Sequence, residues 1–275
     1  METQYTAIWR LIEYAAGDAC FNMAADEAVA LMVEAGSSPT TLRFYGWAVP
    51  SVTIGAFQRI GAIDTEACQA LNVPVVRRPT GGRAIVHDDE LTFSFSTGTR
   101  AAPFSESLLY NYKAIGTAFF QAFQRLGLDC AITQRRLKRS EASPATANPM
   151  CFSAASYSEM TIDGRKILGA AQKRYRGALL EQGAIPLSVN RPLLLEVFGT
   201  GASGLDIINA GNADVAGLRE FDDSITLSSV QTAVVEAFEE VFNIRLHPGR
   251  LAEQEMSLAQ ELLRKYQSRQ WTFRK

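Results

Sequence analysis

Cys151, Lys166 and the run Arg77-Arg78-Pro79-Thr80-Gly81-Gly82-Arg83-Ala84-Ile85-Val86-His87-Asp88 are the residues whose types and spacing suit chemistry. A thiol with an ordinary pKa of about 8.5 becomes a good nucleophile at neutral pH only beside positive charge. Cys151 follows a Pro-containing loop, and loops on a rigid scaffold carry a large share of catalytic groups. Cys20, Cys68 and Cys130 sit in or beside expected elements, where burial as small hydrophobes is the plain reading. The groups able to activate Cys151 are Lys166, in Gly164-Arg165-Lys166-Ile167-Leu168-Gly169-Ala170-Ala171-Gln172, and His87. The competing readings are an exposed hairpin lysine and a structural histidine, and both stay open at this level. Gly169 and Ala170 permit close approach to a strand. Gly81-Gly82 lets backbone approach a ligand, with the arginines placing positive charge at its mouth. The alternative for that run is a β-hairpin with a basic rim.

The elements that must position these groups follow from periodicity and punctuation. Ala7–Ile12, Thr41–Trp47, Ser51–Gly55 and the flanks of the Arg/Gly run, Val73–Val76 and Leu91–Ser96, read as strands, rich in β-branched and aromatic residues. A helix is expected over Asn22–Glu34, with Asn22 as N-cap, Asp26 and Glu27 serving the dipole, and Ala24, Ala28, Leu31 and Ala35 on one packing face. A short helix spans Thr65–Leu71. Ser105 caps a longer one whose stripe is Leu108, Tyr112, Ile115, Phe119 and Phe123, ending at Gly127. Residues 133–150 form a polar, basic loop. Three strands follow (156–161, 166–173 and 177–187), with Asp163-Gly164 as a hairpin turn. Residues 188–224 read mostly as short turns, and helices close the chain over Ser228–Phe242 and Leu251–Tyr266. No internal repeat or long linker divides the chain. The expectation is one α+β domain over residues 1–275, a mixed, mostly antiparallel sheet flanked by helices.

Composition narrows the function classes. The 275 residues are 47% hydrophobic and 20% charged with net charge −2, which suits a globular protein and argues against nucleic-acid binding. No apolar run is long enough to span a membrane and the first residues lack a signal-peptide pattern, so a cytoplasmic protein with free thiols is expected. Four scattered cysteines and two histidines give no metal-site spacing, so no metal is expected. Neither a Walker sequence nor a G-x-G-x-x-G fingerprint occurs, which weakens nucleotide use.

Taken together, these stretches resemble a known family. Arg77–Asp88 resembles the Arg-Arg-x-[Ser/Thr]-Gly-Gly-x-Ala-x-x-His-Asp signature of the biotin/lipoate protein ligase and transferase superfamily. Asn22–Ala28, Thr41–Trp47 and Gly164–Gln172 resemble its first helix, second strand and lysine segment, and the likeness runs from about residue 8 to 272. Lipoate ligases typically carry a third glycine where this chain has Arg83, and often a C-terminal accessory domain for which no residues remain. Gly81-Gly82-Arg83-Ala84 with His87-Asp88, and Cys151-Phe152 before the lysine hairpin, are similar to the LipM-type octanoyltransferase branch. One departure is Ala155-Ser156 in place of the usual Pro-Ser.

The resemblance implies a class II synthetase and biotin-protein-ligase-like fold. It implies Cys151 as acyl-accepting nucleophile and Lys166 as its catalytic partner, with Arg78, Gly81, Gly82, His87, Gly169 and Ala170 on the substrate. Octanoyl-acyl carrier protein is the implied donor, and a lysine of a lipoyl-type protein such as the glycine cleavage H protein the acceptor, with no cofactor. An apolar tunnel around residues 44–56 and 76–86 is expected for the acyl chain. A basic rim including Arg135, Arg136, Lys138, Arg139, Lys173, Arg174 and Arg176 would meet the acidic carrier. The rival readings are an ATP-dependent lipoate–protein ligase, an amidotransferase moving octanoyl between lipoyl domains, and a non-catalytic carrier-binding protein.

Overall fold

The computed structural model describes residues 7–100, 103–133, 159–199 and 215–274. Strand β1 (Ala7–Ile12) and a two-residue strand β2 (Ala16–Gly17) lead to helix α1 (Ala19–Glu34). Next come β3 (Thr41–Trp47), β4 (Ser51–Ile54), helix α2 (Thr65–Ala70), β5 (Val75–Arg77), β6 (Ile85–His87) and β7 (Glu90–Gly98). Helix α3 (Leu108–Arg125) precedes β8 (Ala131–Thr133), β9 (Glu159–Ile162), β10 (Arg165–Arg174) and β11 (Ala178–Pro186). The chain closes with α4 (Arg191–Phe198), α5 (Leu227–Phe242), β12 (Ile244–Gly249), α6 (Glu253–Gln267) and α7 (Arg269–Thr272).

Among the described residues the main sheet runs β12-β1-β3-β7-β11-β10-β9-β8, with β2 beside β3. The pairs of β1 with β12 and β3 are parallel, and those from β3 to β8 are antiparallel. The fold is α+β with a mixed, mostly antiparallel sheet. The long strands have covered faces on both sides: every residue of β3 and β11 is buried. On one face α3 and α5 pack through Phe119, Phe123 and Phe238 against Phe93 and Phe95 of β7. Phe93 and Phe119 have ring centroids 4.3 Å apart. On the other face lies α1, whose Ala24, Ala25 and Ala28 are fully buried; their small side chains let it sit close to the sheet, under α6 and Tyr266.

Several local expectations hold. Asp163 and Gly164 both take positive φ (51° and 75°), the backbone of a two-residue turn joining β9 to β10. Gly127 ends α3 at φ 75°. Others need correction. Helix α1 is capped by Asp18, whose carboxylate accepts from the N–H groups of Cys20 and Phe21, so Asn22 is inside the helix and neither Asp26 nor Glu27 lies in its first turn. Ser107, not Ser105, caps α3. Residues 188–224 contain α4, which has the start signals of Asn190 and Pro192 but only eight residues, too few for a clear periodic stripe. Strand β12 is an addition: buried Ile244 and Leu246 alternate with exposed Arg245 and His247, but the alternation is only four residues long before Pro248. Asn243 (φ 50°) stops α5 and turns the chain straight into it.

Glu181 of β11 is an unusual buried acid. Its burial pushes the carboxyl up to about 8, against a smaller opposing effect of the Gln172 side-chain hydrogen bond. A carboxyl held protonated in the fold and free to ionise when unfolded lowers stability as pH rises. The expected result is a wild-type protein that loses stability relative to Glu181→Gln between about pH 4.5 and 8, with a constant difference outside that window. Urea midpoints at pH 4, 6 and 8.5 measure it, and a pH-independent difference would contradict it.

Candidate active site

The Arg/Gly run is not a hairpin. Its two strands are separated by β4 in a second sheet of order β5-β4-β6, with β5 parallel and β6 antiparallel to β4. The other expected flank, within β7, belongs to the main sheet. Arg77 and Arg78 do not face outward either. Arg77 is 1% exposed, and its guanidinium donates to the carbonyls of Gly55 and Gln58 (both 2.7 Å) and of Trp271, Thr272 and Arg274 (each 3.1 Å). Arg78 donates to the carbonyls of Gly81 (2.6 Å) and Arg83 (2.7 Å) and to Thr53 Oγ1 (3.1 Å). With five donors in a rigid fork, each satisfies buried acceptors that an irregular loop leaves without ladder partners. Their positive charge shapes the loop from beneath rather than meeting a carrier. The glycines are required there. A Cβ on Gly55 would lie 1.9 Å from the Gly82 carbonyl oxygen, and Gly82 has φ 88°.

Beneath this loop is a cavity of about 320 Å³. Arg78, Ile85 and His87 of the run line it, with Met23, Tyr45, Trp47, Thr53, Thr92, Gln182, Gly183 and the Gly169–Ala171 stretch of β10. Four of the residues expected on the substrate, Arg78, His87, Gly169 and Ala170, therefore meet around one space, while Gly81 and Gly82 are not in its lining. On β11, Gly183 makes room for the other face of the sheet: a Cβ there would lie 2.3 Å from the Phe93 ring.

Polar side chains behind the wall hold its shape. Asp26, with no exposed surface, accepts four hydrogen bonds: from Arg43 Nη1 (2.7 Å) and Ser94 Oγ (2.6 Å) on Oδ1, and from Tyr45 Oη (2.8 Å) and Gln182 Nε2 (2.7 Å) on Oδ2. Asn22 Oδ1 accepts from Arg43 Nη2 at 2.7 Å. Burial, and then the Asp26 carboxylate, push the Tyr45 phenol well up, so it remains a donor. Thr80 Oγ1 donates to Gln182 Oε1 at 2.8 Å and ties the loop to the same network. The sequence reading missed this cluster. Its one signal was Arg43 in a strand of apolar and aromatic residues opposite a helix face of alanines that also carries Asn22 and Asp26.

His87 is a wall residue. It is 3% exposed, stacks on Trp47 (4.1 Å, 21°), and has both ring nitrogens engaged. Nδ1 is 2.6 Å from Glu90 Oε1, and Nε2 is 2.8 Å from Thr53 Oγ1.

Lys166 is not an exposed hairpin lysine: it is 3% exposed on β10, three residues before Gly169. Its carbonyl accepts from Ala216 N (3.0 Å), and a bridge pairs it with Val215. The β9–β10 register shifts between Lys166 and Leu168, a bulge of the kind that re-aims side chains beside active sites. Cys151 lies outside the described residues, as do Arg135, Arg136, Lys138 and Arg139 of the expected basic rim. Lys173 of that rim pairs instead with Glu27 at 3.1 Å. The other three cysteines are poor nucleophiles. Burial, with Asp18 beside one and Asp64 beside the other, pushes Cys20 and Cys68 each up to about 11, and burial raises Cys130.

The lipoyl protein ligase A/B catalytic-domain model matches residues 18–239. The octanoyltransferase LipM of Kyrpidia tusciae is 34% identical over 271 residues, covering 97% of this chain and 99% of that one. LipM of Bacillus subtilis is 32% identical over 273 residues, covering 97% and 98%. Among solved structures, a bipartite lipoate protein ligase from Thermoplasma acidophilum superposes with TM-score 0.80 at 23% identity, covering 98% of this chain and 97% of that one, which speaks for the fold alone. With full-length relatives above 30% identity and a family model matched over most of its length, the chain belongs to the lipoyl protein ligase A/B catalytic-domain family and, within it, to the LipM-type octanoyltransferases.

Proposed function

We propose that this protein is a cytoplasmic enzyme that moves an octanoyl group from acyl carrier protein, through a thioester on Cys151, to a lysine of a lipoyl-type acceptor such as the glycine cleavage H protein. The observation that carries the reading is the pocket walled by Met23, Tyr45, Trp47, Ile85 and Ala171, in a chain whose full-length relatives are octanoyltransferases. Burying a saturated chain there gains roughly 0.8 kcal/mol per methylene, which favours octanoyl over shorter groups. The Cys151 thiolate attacks the thioester carbonyl, and the carrier thiolate leaves and takes a proton from the Lys166 ammonium; the acceptor amine then attacks the acyl-enzyme, gives its proton to the now neutral Lys166 and expels the Cys151 thiolate as the amide forms. Thioester-to-amide transfer runs downhill, so no ATP is consumed. The role of Lys166 is to stabilise the thiolate or the developing oxyanion by charge. With His87 held on both nitrogens, Lys166 rather than His87 takes the acceptor's proton.

Ala171→Leu tests the cavity assignment, since Ala171 pairs with Gln182 on the cavity face of the sheet. In an ATP-free assay with octanoyl-acyl carrier protein and H protein, wild type should form the octanoyl amide. The variant should lose about tenfold or more in kcat/KM with octanoyl, roughly two to three methylenes' worth of burial, and far less with a butanoyl donor. Equal losses for both donors would place the chain elsewhere, and acceptor modification that requires ATP and free octanoate would overturn the transferase reading.

A further inference from the structure

The Arg/Gly loop and the turn beneath it are poor in anchors of their own. Gly55, Gly81 and Gly82 supply backbone without side chains, and glycine loses more conformational freedom on ordering than any other residue. Inward, Arg78 and Thr80 tie the loop to Thr53 and Gln182. Outward, the ties run to α7 and the residues that follow it. Trp271 Nε1 donates to the Arg77 carbonyl at 2.8 Å, and the Arg77 guanidinium returns bonds of 3.1 Å to the carbonyls of Trp271, Thr272 and Arg274. Arg274 Nη2 donates to the Ala56 carbonyl at 2.8 Å. From Ala56 the path to the cavity is short. Its N–H donates to the Thr80 carbonyl at 2.8 Å, and Thr80 Oγ1 donates to Gln182, a wall residue.

We propose that α7 and Arg274 form a strap that positions the Arg/Gly loop over the acyl chain, with Trp271 and Arg274 as positioning residues for octanoyl transfer. The inference rests on the transferase reading above and adds residues that neither line the cavity nor fall within the matched catalytic-domain segment, 18–239. Three observations carry it. First, α7 is a single turn of four residues, too short to hold itself in place, so contacts outside it set where it sits. Second, those contacts reach both sides of the cavity. The Trp271 ring lies between the Lys265 ammonium (4.0 Å) and the Arg274 guanidinium (3.8 Å) and meets the Tyr266 ring edge-on. Tyr266 Oη donates at 2.7 Å to Glu27 of α1, the helix that supplies Met23 to the cavity wall. The strap therefore joins the helix behind the acyl chain to the loop above it. Third, among the described residues no carboxylate pairs with Arg274, so its planar fork serves the indole face and the Ala56 carbonyl.

Donor selectivity tests the strap. Trp271→Phe keeps an aromatic ring and removes the donation to Arg77. Arg274→Met keeps an apolar stem and removes the donation to Ala56, while Arg274→Lys retains a donor. Thiol release from octanoyl- and butanoyl-acyl carrier protein is followed without ATP, with H protein as acceptor. Trp271→Phe and Arg274→Met should each lower the octanoyl-to-butanoyl ratio of kcat/KM by about three- to tenfold, the range for one hydrogen bond, and Arg274→Lys should recover part of it. A purely structural role would reduce the amount of folded enzyme and leave that ratio unchanged. Coupling between two sites is reciprocal. Octanoyl binding to the wild-type enzyme should therefore slow solvent exchange of the Trp271 indole N–H by a similar factor, read by NMR, which needs no variant to fold. A ratio unmoved in the folded variants or, where none folds, an unchanged exchange rate overturns the strap while the transferase reading stands. A wild-type enzyme that releases no thiol without ATP overturns both.

Discussion

Lys166→Ala is expected to lose about 10²–10³ in the rate of octanoyl transfer, the range seen when one electrostatic contact to a developing oxyanion is removed. The side chain is 3% exposed on a strand whose carbonyl, not its side chain, makes the link to Ala216. The substitution therefore leaves the ladder in place, so any shift in the melting transition comes from the emptied side-chain site and not from strand pairing. The two effects separate the roles. If Lys166 supplies charge to the thiolate, the pH profile of acyl-enzyme formation shifts upward in the variant, because the thiol loses its stabilising neighbour. Lys166→Arg keeps the charge but replaces a compact ammonium with a planar fork, and should recover part of the rate at best. Stopped-flow measurement of thiol release across pH 6–9 reads both quantities. A wild-type rate in a folded Lys166→Ala variant would remove the residue from the mechanism.

Asp26→Ala should cost about 3–5 kcal/mol of stability, the penalty typical of stranding one partner of a buried ion pair. Four donors converge on this carboxylate, and Arg43 has its own side chain only 7% exposed. Removing the acid leaves the guanidinium charge buried with Asn22 as its remaining hydrogen-bond partner among the contacts described above. Asp26→Asn should also be costly, since every partner donates and the amide nitrogen cannot accept. The double replacement Asp26→Leu with Arg43→Met should recover much of the loss, because a well-packed apolar pair substitutes for a buried ionic one. Denaturant titration of the set gives the coupling, and additive costs in the double variant would contradict it. The consequence reaches the site: Tyr45 and Gln182, both on the cavity wall, are oriented by the same carboxylate. Substrate specificity should loosen in any variant of this set that still folds.

How much was legible in the residues depends on whether the determinant is local. Strands such as Thr41–Trp47 and the Asp163-Gly164 turn announce themselves because their side chains and backbone needs are contained in a few neighbouring positions. The Arg/Gly run stands out in the sequence, yet its geometry is not a hairpin. The strand between its two arms is β4, from earlier in the chain, and pairing of that kind is set by tertiary packing. For the same reason Arg77 and Arg78 read as an exposed positive mouth. Arg77 is held by carbonyls of Gly55, Gln58 and the C-terminal residues Trp271–Arg274, which no local pattern brings to it, and Arg78 by the loop's own Gly81 and Arg83 carbonyls, whose inward turn the run does not announce. The Asn22–Asp26–Arg43 cluster was visible only as polar residues in places suited to alanine or valine. Lys166 was legible as a candidate from its glycine-rich strand, while its burial was not, because the cover from Val215 and Ala216 comes from a distant segment.

The central claim is that Cys151 carries the octanoyl group. Intact mass of the protein after incubation with octanoyl-acyl carrier protein, without ATP and without acceptor, tests it most directly. Wild type should gain one octanoyl group that neutral hydroxylamine removes, and Cys151→Ala should gain none. An unmodified wild-type protein, or an adduct of equal yield on Cys151→Ala, would contradict it.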